Sequence, residues 1–331
     1  MIFSENHNMP NILLTNSCNR RCPYCFALAQ VELGVCKAAW EMSEAELETV
    51  LGYLDFRRDA VSLLGGEPTL HSRFAEIVGE VAARHFPIKI FTNGTTPSLR
   101  HIPTAACNEH LSIILNLNQP EFYTQRAWHE IEENARHFGP RMSLSFNVYE
   151  PVFSWNHLRK VILQGNLLRR VRIGVAQPVC GLNNSYLTEE DLPAASARLV
   201  EMAVDLARDG IALGFDCGFR ACSFTDHQRG VLLECGAHLL FDCKPVLDIG
   251  PDLMVWRCFP FSSTKGVNLR DFPSLAAVAE HFDRTWAHAC KIGNTPNCPD
   301  CEHFESVCRG GCLSRTVNHS NSQLQAAHAH N

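Results

Sequence analysis

Long apolar runs are absent from this chain of 331 residues. The longest runs, such as "LSIILNL" at 111–117, fall well short of the ~20 residues that a membrane-spanning helix needs. The N-terminus, "MIFSENHNMP", has no basic region followed by an apolar stretch, so it does not resemble a secretory signal. The sequence therefore predicts a cytoplasmic protein that has no membrane partner.

Basic clusters are also scarce. The chain has 35 acidic residues against 29 lysines and arginines, which gives a formal net charge of −6 at pH 7. The densest basic cluster, "LLRRVRI" at 167–173, lies in a strand-like segment rather than on a polar face. Since nucleic-acid binding needs a basic patch or stripe, we expect no nucleic-acid partner.

Cysteine, in contrast, is abundant, with 16 residues. In a reducing compartment a disulfide framework is not expected, so clustered cysteines indicate metal binding and isolated ones indicate packing. The clusters lie near the two ends of the chain, whereas Cys36 and Cys107 stand among small or apolar neighbours. These two are therefore predicted to be packing residues.

Strand and helix signals alternate through the first two thirds of the chain. Apolar runs predict six or seven strands, and helical patterns lie between them; the strands are placed at 11–16, 60–64, 87–92, 111–117, 142–149, 170–177 and 211–217, and the clearest helices at 43–56, 72–85, 121–137 and 188–209. This alternation predicts an α/β fold with parallel strands and right-handed crossovers, a partial (β/α)6-type TIM barrel. Functional sites on such barrels lie at the carboxyl ends of the strands.

The character of the sequence changes near residue 230. The segment "LDIGPDLMVWRCFPF" at 247–261 predicts a β-hairpin that turns on "GPDL", and from 290 onward cysteine, proline and glycine replace periodic structure. We therefore predict a barrel domain over 1–230 and a C-terminal cysteine-rich hairpin and loop domain over 231–331.

The N-terminal cysteine motif is "NSCNRRCPYCFA", in which Cys18, Cys22 and Cys25 follow the spacing C-x3-C-x2-C. It comes directly after the first predicted strand, at the barrel mouth. Three thiolates on one loop can hold a cubane iron–sulfur cluster and leave one iron without a protein ligand. A zinc site or three packed thiols is the alternative, although structural zinc sites have four ligands and no histidine lies nearby. The spacing favours the cluster.

A second motif, "LLGGEPTLH" at 63–71, follows the second predicted strand. Gly65 and Gly66 let the backbone approach a ligand closely, and the Glu67 carboxylate suits an ammonium group. Alone, the motif would be consistent with an ordinary turn from a strand to a helix.

Together, over roughly residues 10 to 220, the two motifs closely resemble those of the radical S-adenosylmethionine (SAM) enzymes. The resemblance implies that the three cysteines bind a 4Fe–4S cluster whose free iron is chelated by SAM, and that Gly65, Gly66 and Glu67 hold the methionine amino group. It further implies that SAM contacts come from Tyr24, Asn93, Asn116, Asn147 and Gln177, with Tyr24 beside the adenine. Asn118 also stands where relatives carry a polar residue. Amides at strand ends that only satisfy the backbone are the alternative.

The resemblance also implies a reaction. An electron from a donor such as flavodoxin or ferredoxin cleaves SAM, and the resulting 5′-deoxyadenosyl radical removes a hydrogen atom from the substrate. Cys180, Asp216, Cys217 and Cys222 end or follow the sixth and seventh predicted strands, so they are candidates for contact with substrate. A buried packing role is the alternative for these cysteines.

The C-terminal cysteines resemble the SPASM or twitch extensions, which carry auxiliary iron–sulfur clusters. By that resemblance, Cys235, Cys243, Cys258 and Cys312 would hold a first auxiliary cluster, and Cys298, Cys301 and Cys308 a second. Leu253 replaces a glycine of the family pattern, and no cysteine follows Cys312, so one ligand is missing. Cys290 and His319 are candidates for it, an open iron is another possibility, and a twitch-like variant would have one auxiliary cluster.

Three functions remain open from the sequence. SPASM relatives mostly modify peptides or proteins by crosslinking or oxidation, which makes this the leading prediction. With the first strand at about residue 11, we expect a separate leader-binding protein, or a short or small substrate. The alternatives are a sugar or aminocyclitol dehydrogenase or epimerase, and a non-catalytic zinc or iron–sulfur protein.

Overall fold

The computed structural model describes residues 9–31, 40–243, 246–264 and 266–318. Cys36 and His319 lie outside these ranges. Ten strands form one sheet in the order β10-β9-β8-β1-β2-β3-β4-β5-β6-β7. Their bounds are β1 Asn11–Leu13, β2 Val61–Leu64, β3 Ile88–Thr92, β4 Leu111–Asn116, β5 Met142–Val148, β6 Arg170–Val175, β7 Ala212–Phe215, β8 Asp248–Ile249, β9 Met254–Trp256 and β10 Val267–Asn268.

Strands β1 to β7 are all parallel and pair in chain order, which confirms the predicted α/β fold with a partial barrel. Side chains alternate between two faces along each strand. On β3, Ile88 and Ile90 are fully buried in the main core, whereas Lys89 and Phe91 are half-buried on the inner face. We call the space enclosed by this inner face the lumen.

The described residues form eight α-helices, most of which pack against the main core on the outer face of the barrel. They are α1 Leu28–Val31, α2 Glu44–Gly52, α3 Phe74–Ala83, α4 Gln125–Phe138, α5 Asn156–Gly165, α6 Leu192–Ala207, α7 Asp226–Glu234 and α8 Leu275–Cys290. Ser43 caps α2 in a capping box with Glu46, and Thr124 caps α4. The sequence predicted α2, α3, α4 and α6 to within a few residues, but α5, α7 and α8 were not among its predictions.

The C-terminal segment continues the barrel sheet at both edges. Strand β8 pairs in parallel with β1, and β9 and β10 add antiparallel strands beyond it. At the other edge, His238 bridges to Gly214 of β7. Ile249 and Val255 belong to the same buried apolar cluster as the barrel strands. The chain between 238 and 248 therefore connects the two open edges of the barrel, and the division at residue 230 stays a prediction.

The hairpin between β8 and β9 turns where the sequence predicted. Gly250 N donates to Met254 O (2.7 Å), and Leu253 N donates to Gly250 O (3.0 Å). Leu253 has a φ of 64°, the left-handed conformation that glycine adopts more easily. Leu253, which is fully buried, therefore occupies a turn position where the family pattern has glycine. Among the described helices, none is long and apolar enough to span a bilayer.

Candidate functional site

Cys18, Cys22 and Cys25 lie in the loop that follows β1, and all three are half-buried. A turn brings the last two together, with Cys25 N donating to Cys22 O (3.0 Å). Burial raises the pKa of Cys18, and the charges of Glu67 and Cys22 act in the same direction. Three thiols on one loop are a suitable donor set for an iron–sulfur cluster, since cysteine binds metal as the thiolate.

This loop is held across the ends of the barrel strands. Asn19 Nδ2 donates to Thr95 Oγ1 (2.9 Å), and the Arg20 guanidinium lies over the Tyr123 ring at 3.8 Å from its centroid. Tyr24 is buried, stacks on Tyr149 at 4.9 Å between ring centroids, and accepts a hydrogen bond from Asn118. The three thiols therefore lie at the carboxyl ends of the strands.

Gly65 and Gly66 place the turn after β2 directly against the cysteine loop. Gly66 N donates to Thr15 O, and Glu67 N donates to Ser17 O, each at 2.8 Å. A Cβ atom on Gly66 would come within 2.4 Å of Ser17 O, and one on Gly65 within 2.4 Å of Thr15 O. Since both contacts are with backbone, neither glycine can carry a side chain without moving the cysteine loop.

The Glu67 carboxylate is fully enclosed and accepts four hydrogen bonds. Oε1 receives Thr69 N (3.2 Å), Thr69 Oγ1 (2.6 Å) and Thr92 Oγ1 (2.6 Å), while Oε2 receives Asn93 N (2.7 Å). Burial raises the pKa of Glu67, and these donors partly offset the rise. The carboxylate therefore fixes the loops after β2 and β3 to each other, and its predicted contact with the methionine amino group stays a prediction.

The predicted amide contacts occupy two regions. Asn93 donates from Nδ2 to Asn19 Oδ1 (2.9 Å), beside the cysteine loop. Asn147 Nδ2 donates to Asn116 Oδ1 (2.9 Å) across β5 and β4. Gln177, after β6, accepts from Arg315 Nε at 3.3 Å, so its side chain already contacts the C-terminal segment. These positions around SAM stay predictions.

The lumen contains a charged group that the sequence did not single out. Arg172 of β6 forms an ion pair with Asp216 and lies 5.4 Å from the centroid of the Phe91 ring. Burial, together with the nearby Arg172 charge, lowers the pKa of Lys89 to about 8, while Asp216 opposes the shift. The signal that was available in the sequence is the inward register of Lys89 and Arg172 on their strands.

Cys180, Cys243 and Cys258 pack in one apolar cluster with Phe261 and Leu313. Burial raises the pKa of Cys180 to about 12, and the neighbouring Cys312 thiol adds to the rise. The Asp216 carboxylate raises the pKa of the exposed Cys217, and Cys312 and Cys243 contribute in the same direction. Barrel cysteines therefore lie beside the first predicted auxiliary set.

Cys235 is placed differently from the rest of that set. It follows α7 and packs, half-buried, against the main core. Its assignment as an auxiliary ligand stays a prediction.

A second group of cysteines surrounds a cavity of about 220 Å³. Cys298, Cys301 and Cys308 line it together with Cys222, which comes from the turn after β7. Within the described ranges, no three or more His, Cys, Asp or Glu side chains are arranged around a single metal ion. Thiolates of a cubane cluster each bind a different iron, so they lie farther apart than the ligands of one ion.

The C-terminal segment also covers the N-terminal cysteine loop. The Phe259 ring, which follows Cys258, lies 4.8 Å from the Phe26 ring, measured between centroids. Phe259 is buried with Leu13 and Leu64, and Cys25 packs against this group. The two cysteine regions are therefore connected through direct apolar contacts.

Comparison with known families identifies the class of protein. Residues 12–125, which contain β1 to β4 and both motifs, match the family model described as the radical SAM superfamily. This segment of the chain is therefore similar to the radical SAM superfamily. Among curated proteins, it is 35% identical over 85 residues to the S-adenosylmethionine-dependent nucleotide dehydratase of Selenomonas ruminantium, which covers 26% of this chain and 29% of that protein.

It is also 36% identical over 91 residues to the tungsten-containing aldehyde ferredoxin oxidoreductase cofactor-modifying protein of Pyrococcus furiosus, covering 25% of this chain and 22% of that protein. The chain thus matches less than a third of either relative. These matches support the domain and leave the activity of the whole protein as a proposal.

Solved structures resemble a larger part of the chain. Native anSMEcpe with bound AdoMet superimposes with a TM-score of 0.66 at 15% identity, covering 97% of each chain. Streptococcus suis SuiB bound to its precursor peptide SuiA gives a TM-score of 0.64 at 15% identity, covering 94% of this chain and 73% of SuiB. At this identity the likeness shows the fold, and it extends over the C-terminal segment.

Proposed function

We propose that this protein is a radical SAM enzyme that modifies a peptide or protein side chain by crosslinking or oxidation. The observation that carries the proposal is the contact between the three-cysteine loop and the Gly65–Glu67 turn at the carboxyl ends of the strands. The loop offers three thiolates, and the turn brings backbone within hydrogen-bonding reach of it. Because these residues fit a cluster with one open iron, Cys18, Cys22 and Cys25 would hold a 4Fe–4S cluster.

When bound, the cluster and SAM supply a 5′-deoxyadenosyl radical that removes a hydrogen atom from substrate. The chain's own residues hold and enclose the reactants. Tyr24, buried and stacked on Tyr149, fixes the far side of the cysteine loop. On the side of the C-terminal segment, the buried Phe259 packs with Leu13 and Leu64 beside Cys25 and contacts the exposed ring of Phe26. Such packing excludes water, which protects a reactive intermediate from side reactions.

The C-terminal segment supports a peptide as substrate. It has the cysteine content of a SPASM-like extension, and the fold it shares with SuiB was seen in a complex with a precursor peptide. We propose that it binds one or two auxiliary 4Fe–4S clusters. A reduced flavodoxin or ferredoxin would donate the electron, and a separate leader-binding protein or a short peptide would meet the barrel mouth.

The test is a turnover assay under anaerobic conditions with reduced protein, SAM and short peptides encoded next to this gene. We expect 5′-deoxyadenosine together with a mass change in one peptide, and neither product with Cys22→Ala. A matched control is Cys107→Ala, since Cys107 lies after β3, away from the loop. Cleavage of SAM without any change in the peptides would contradict peptide modification.

A small anionic molecule is the second candidate substrate, because the lumen holds Lys89 and Arg172 against the single carboxylate of Asp216. The reaction would be that of a sugar or aminocyclitol dehydrogenase or epimerase, in which a phosphate or other anionic group of the substrate would contact Lys89 and Arg172. Deuterium transfer from a labelled sugar phosphate or cyclitol into 5′-deoxyadenosine would favour this function. A colourless protein that contains zinc and does not cleave SAM would instead indicate a non-catalytic metal-binding role.

A further inference from the structure

We propose that Cys222 is the fourth thiolate ligand of the second auxiliary cluster and completes the set formed by Cys298, Cys301 and Cys308. The inference rests on the proposed iron–sulfur content of the C-terminal segment. It places the ligand in the barrel, before Cys235, rather than after Cys312, where the sequence pattern lacks a cysteine. The cluster would then join the turn after β7 to the loop at 298–312.

The first argument is geometric. The cavity of about 220 Å³ is lined by these four cysteines, with Ala221 beside Cys222 and Phe304 and Gly310 opposite. Cys222 lies in the middle of a short helical turn, Ala221–Ser223. Arg229 of α7 fixes this turn by donating from Nη1 to the carbonyls of Ala221 and Phe224, both at 2.8 Å. The position of Cys222 at the cavity is therefore set by the barrel itself.

The second argument is electrostatic. Arg220 lines the same cavity and is 6% exposed, yet its Nη1 has no hydrogen-bond partner among the described residues. Its Nη2 pairs with Glu189 at 2.5 Å. A buried guanidinium nitrogen without an acceptor is costly. A cluster with four thiolates carries net negative charge, so the Arg220 guanidinium, which lines the cavity, would balance part of that charge.

The third argument concerns the sulfur atoms of the loop. Gly310 N donates to Cys308 Sγ (3.3 Å), and Thr295 Oγ1 lies 3.1 Å from Cys298 Sγ. Hydrogen bonds to cysteine sulfur are a regular feature of iron–sulfur sites and adjust their potential. Gly310 has a φ of 74°, and a Cβ there would come within 2.7 Å of Gly293. The backbone is thus packed closely enough to direct its N–H at the sulfur.

The other candidate ligands fit less well. Cys290 is the last residue of α8 and is exposed. It does not line the cavity of Cys298, Cys301 and Cys308. His319 lies outside the described residues. Cys222 is the remaining thiol with a described position at this cavity.

The experiment measures the iron content of a variant that can bind only the auxiliary clusters. A parent variant with Cys18→Ala, Cys22→Ala and Cys25→Ala is reconstituted anaerobically, and iron, sulfide and the electron paramagnetic resonance spectrum are measured. Adding Cys222→Ala should remove about four iron atoms per chain, or about one with the signal of a three-iron cluster. Adding Cys290→Ala, or ending the chain at residue 318 so that His319 is absent, should leave the iron unchanged. Equal iron and equal spectra with and without Cys222 would overturn the proposal.

A second measurement needs no substitution at Cys222. The Cys222 side chain is exposed, so iodoacetamide should alkylate it once iron is chelated, whereas a bound cluster should protect it in the reconstituted protein. Cys290, also exposed, should be alkylated in both. Alkylation of Cys222 as fast as Cys290 in the reconstituted protein would refute the ligand assignment. Because the wild-type chain is assayed separately for SAM cleavage, failure here is distinguishable from failure of the proposed function.

Discussion

At the scale of single residues, Gly66 is the position where the smallest change should have the largest effect. Gly66→Ala adds one methyl group, which would meet Ser17 O at 2.4 Å and push the cysteine loop away from the turn after β2. Displacements of about 1 Å can cost roughly 100-fold in rate. We expect SAM cleavage to fall by about that factor, as measured by 5′-deoxyadenosine formation.

The matched control is Gly52→Ala at the end of α2, where an added Cβ has no neighbour within 4 Å. It should leave the rate unchanged. If Gly66→Ala cleaves SAM as fast as Gly52→Ala, the close contact between the two motifs has no part in catalysis.

Residue types and their spacing indicated where the chemistry lies, but not how each side chain is used. The sequence placed Glu67 at the site because of its charge, whereas its four hydrogen bonds come from residues up to 26 positions away. Cys222 was visible only as a cysteine after a predicted strand. Its approach to Cys298 depends on the path of the chain in three dimensions, which spacing does not encode.

At the scale of elements, α5 contains a titratable group that packing holds neutral. His157 is buried, its Nε2 has no hydrogen-bond partner within the described part of the chain, and its ring lies 6.2 Å from that of Phe146. Burial lowers its pKa from 6.5 to about 4. Between pH 4 and 6.5 the folded state binds fewer protons than the unfolded state. The contribution of the neutral His157 to the free energy of unfolding is therefore complete above pH 6.5 and is lost as the pH falls towards 4.

The free energy of unfolding should fall by about 3 kcal/mol when the pH is lowered from 6.5 to 4. His157→Leu removes the titrating group, so its free energy of unfolding should depend less on pH over this range, as measured by urea unfolding at several pH values. His129→Leu is the control, since His129 is exposed on α4. An equally steep pH dependence in wild type and His157→Leu would contradict this assignment.

The positions of strands and helices could be predicted from the sequence where the residues of the segment itself determine its conformation. Each of β1 to β7 lies within a segment predicted as a strand, although β1 and β7 are shorter than predicted, and α2 begins at a serine cap. The pairing of β8 with β1 joins residues 237 positions apart, as in the bond from Asn11 Nδ2 to Asp248 Oδ1 (2.7 Å). Nothing local in either segment specifies the other, which is why the sequence indicated a separate hairpin.

At the scale of the whole molecule, the C-terminal segment completes the barrel as well as adding to it. Both edge strands, β1 and β7, are paired by residues after 235, through β8 and His238 respectively. Leu269 and Val278 are fully buried in the core shared with the barrel. A chain that ends at residue 235 would expose two strand edges and a large apolar surface, and such edges promote association with other chains.

We therefore expect the truncated chain, 1–235, to aggregate or to unfold without a cooperative transition, whereas the chain ending at residue 318 should stay in solution and unfold cooperatively. Size-exclusion chromatography and circular dichroism during heating would distinguish the two. Truncation removes β8, so the β1 edge loses its hydrogen bonds to β8, the bond from Asn11 to Asp248 and part of the apolar core together. A soluble, cooperatively folding 1–235 fragment would instead show that the barrel is an independent domain and that the boundary near residue 230 is real.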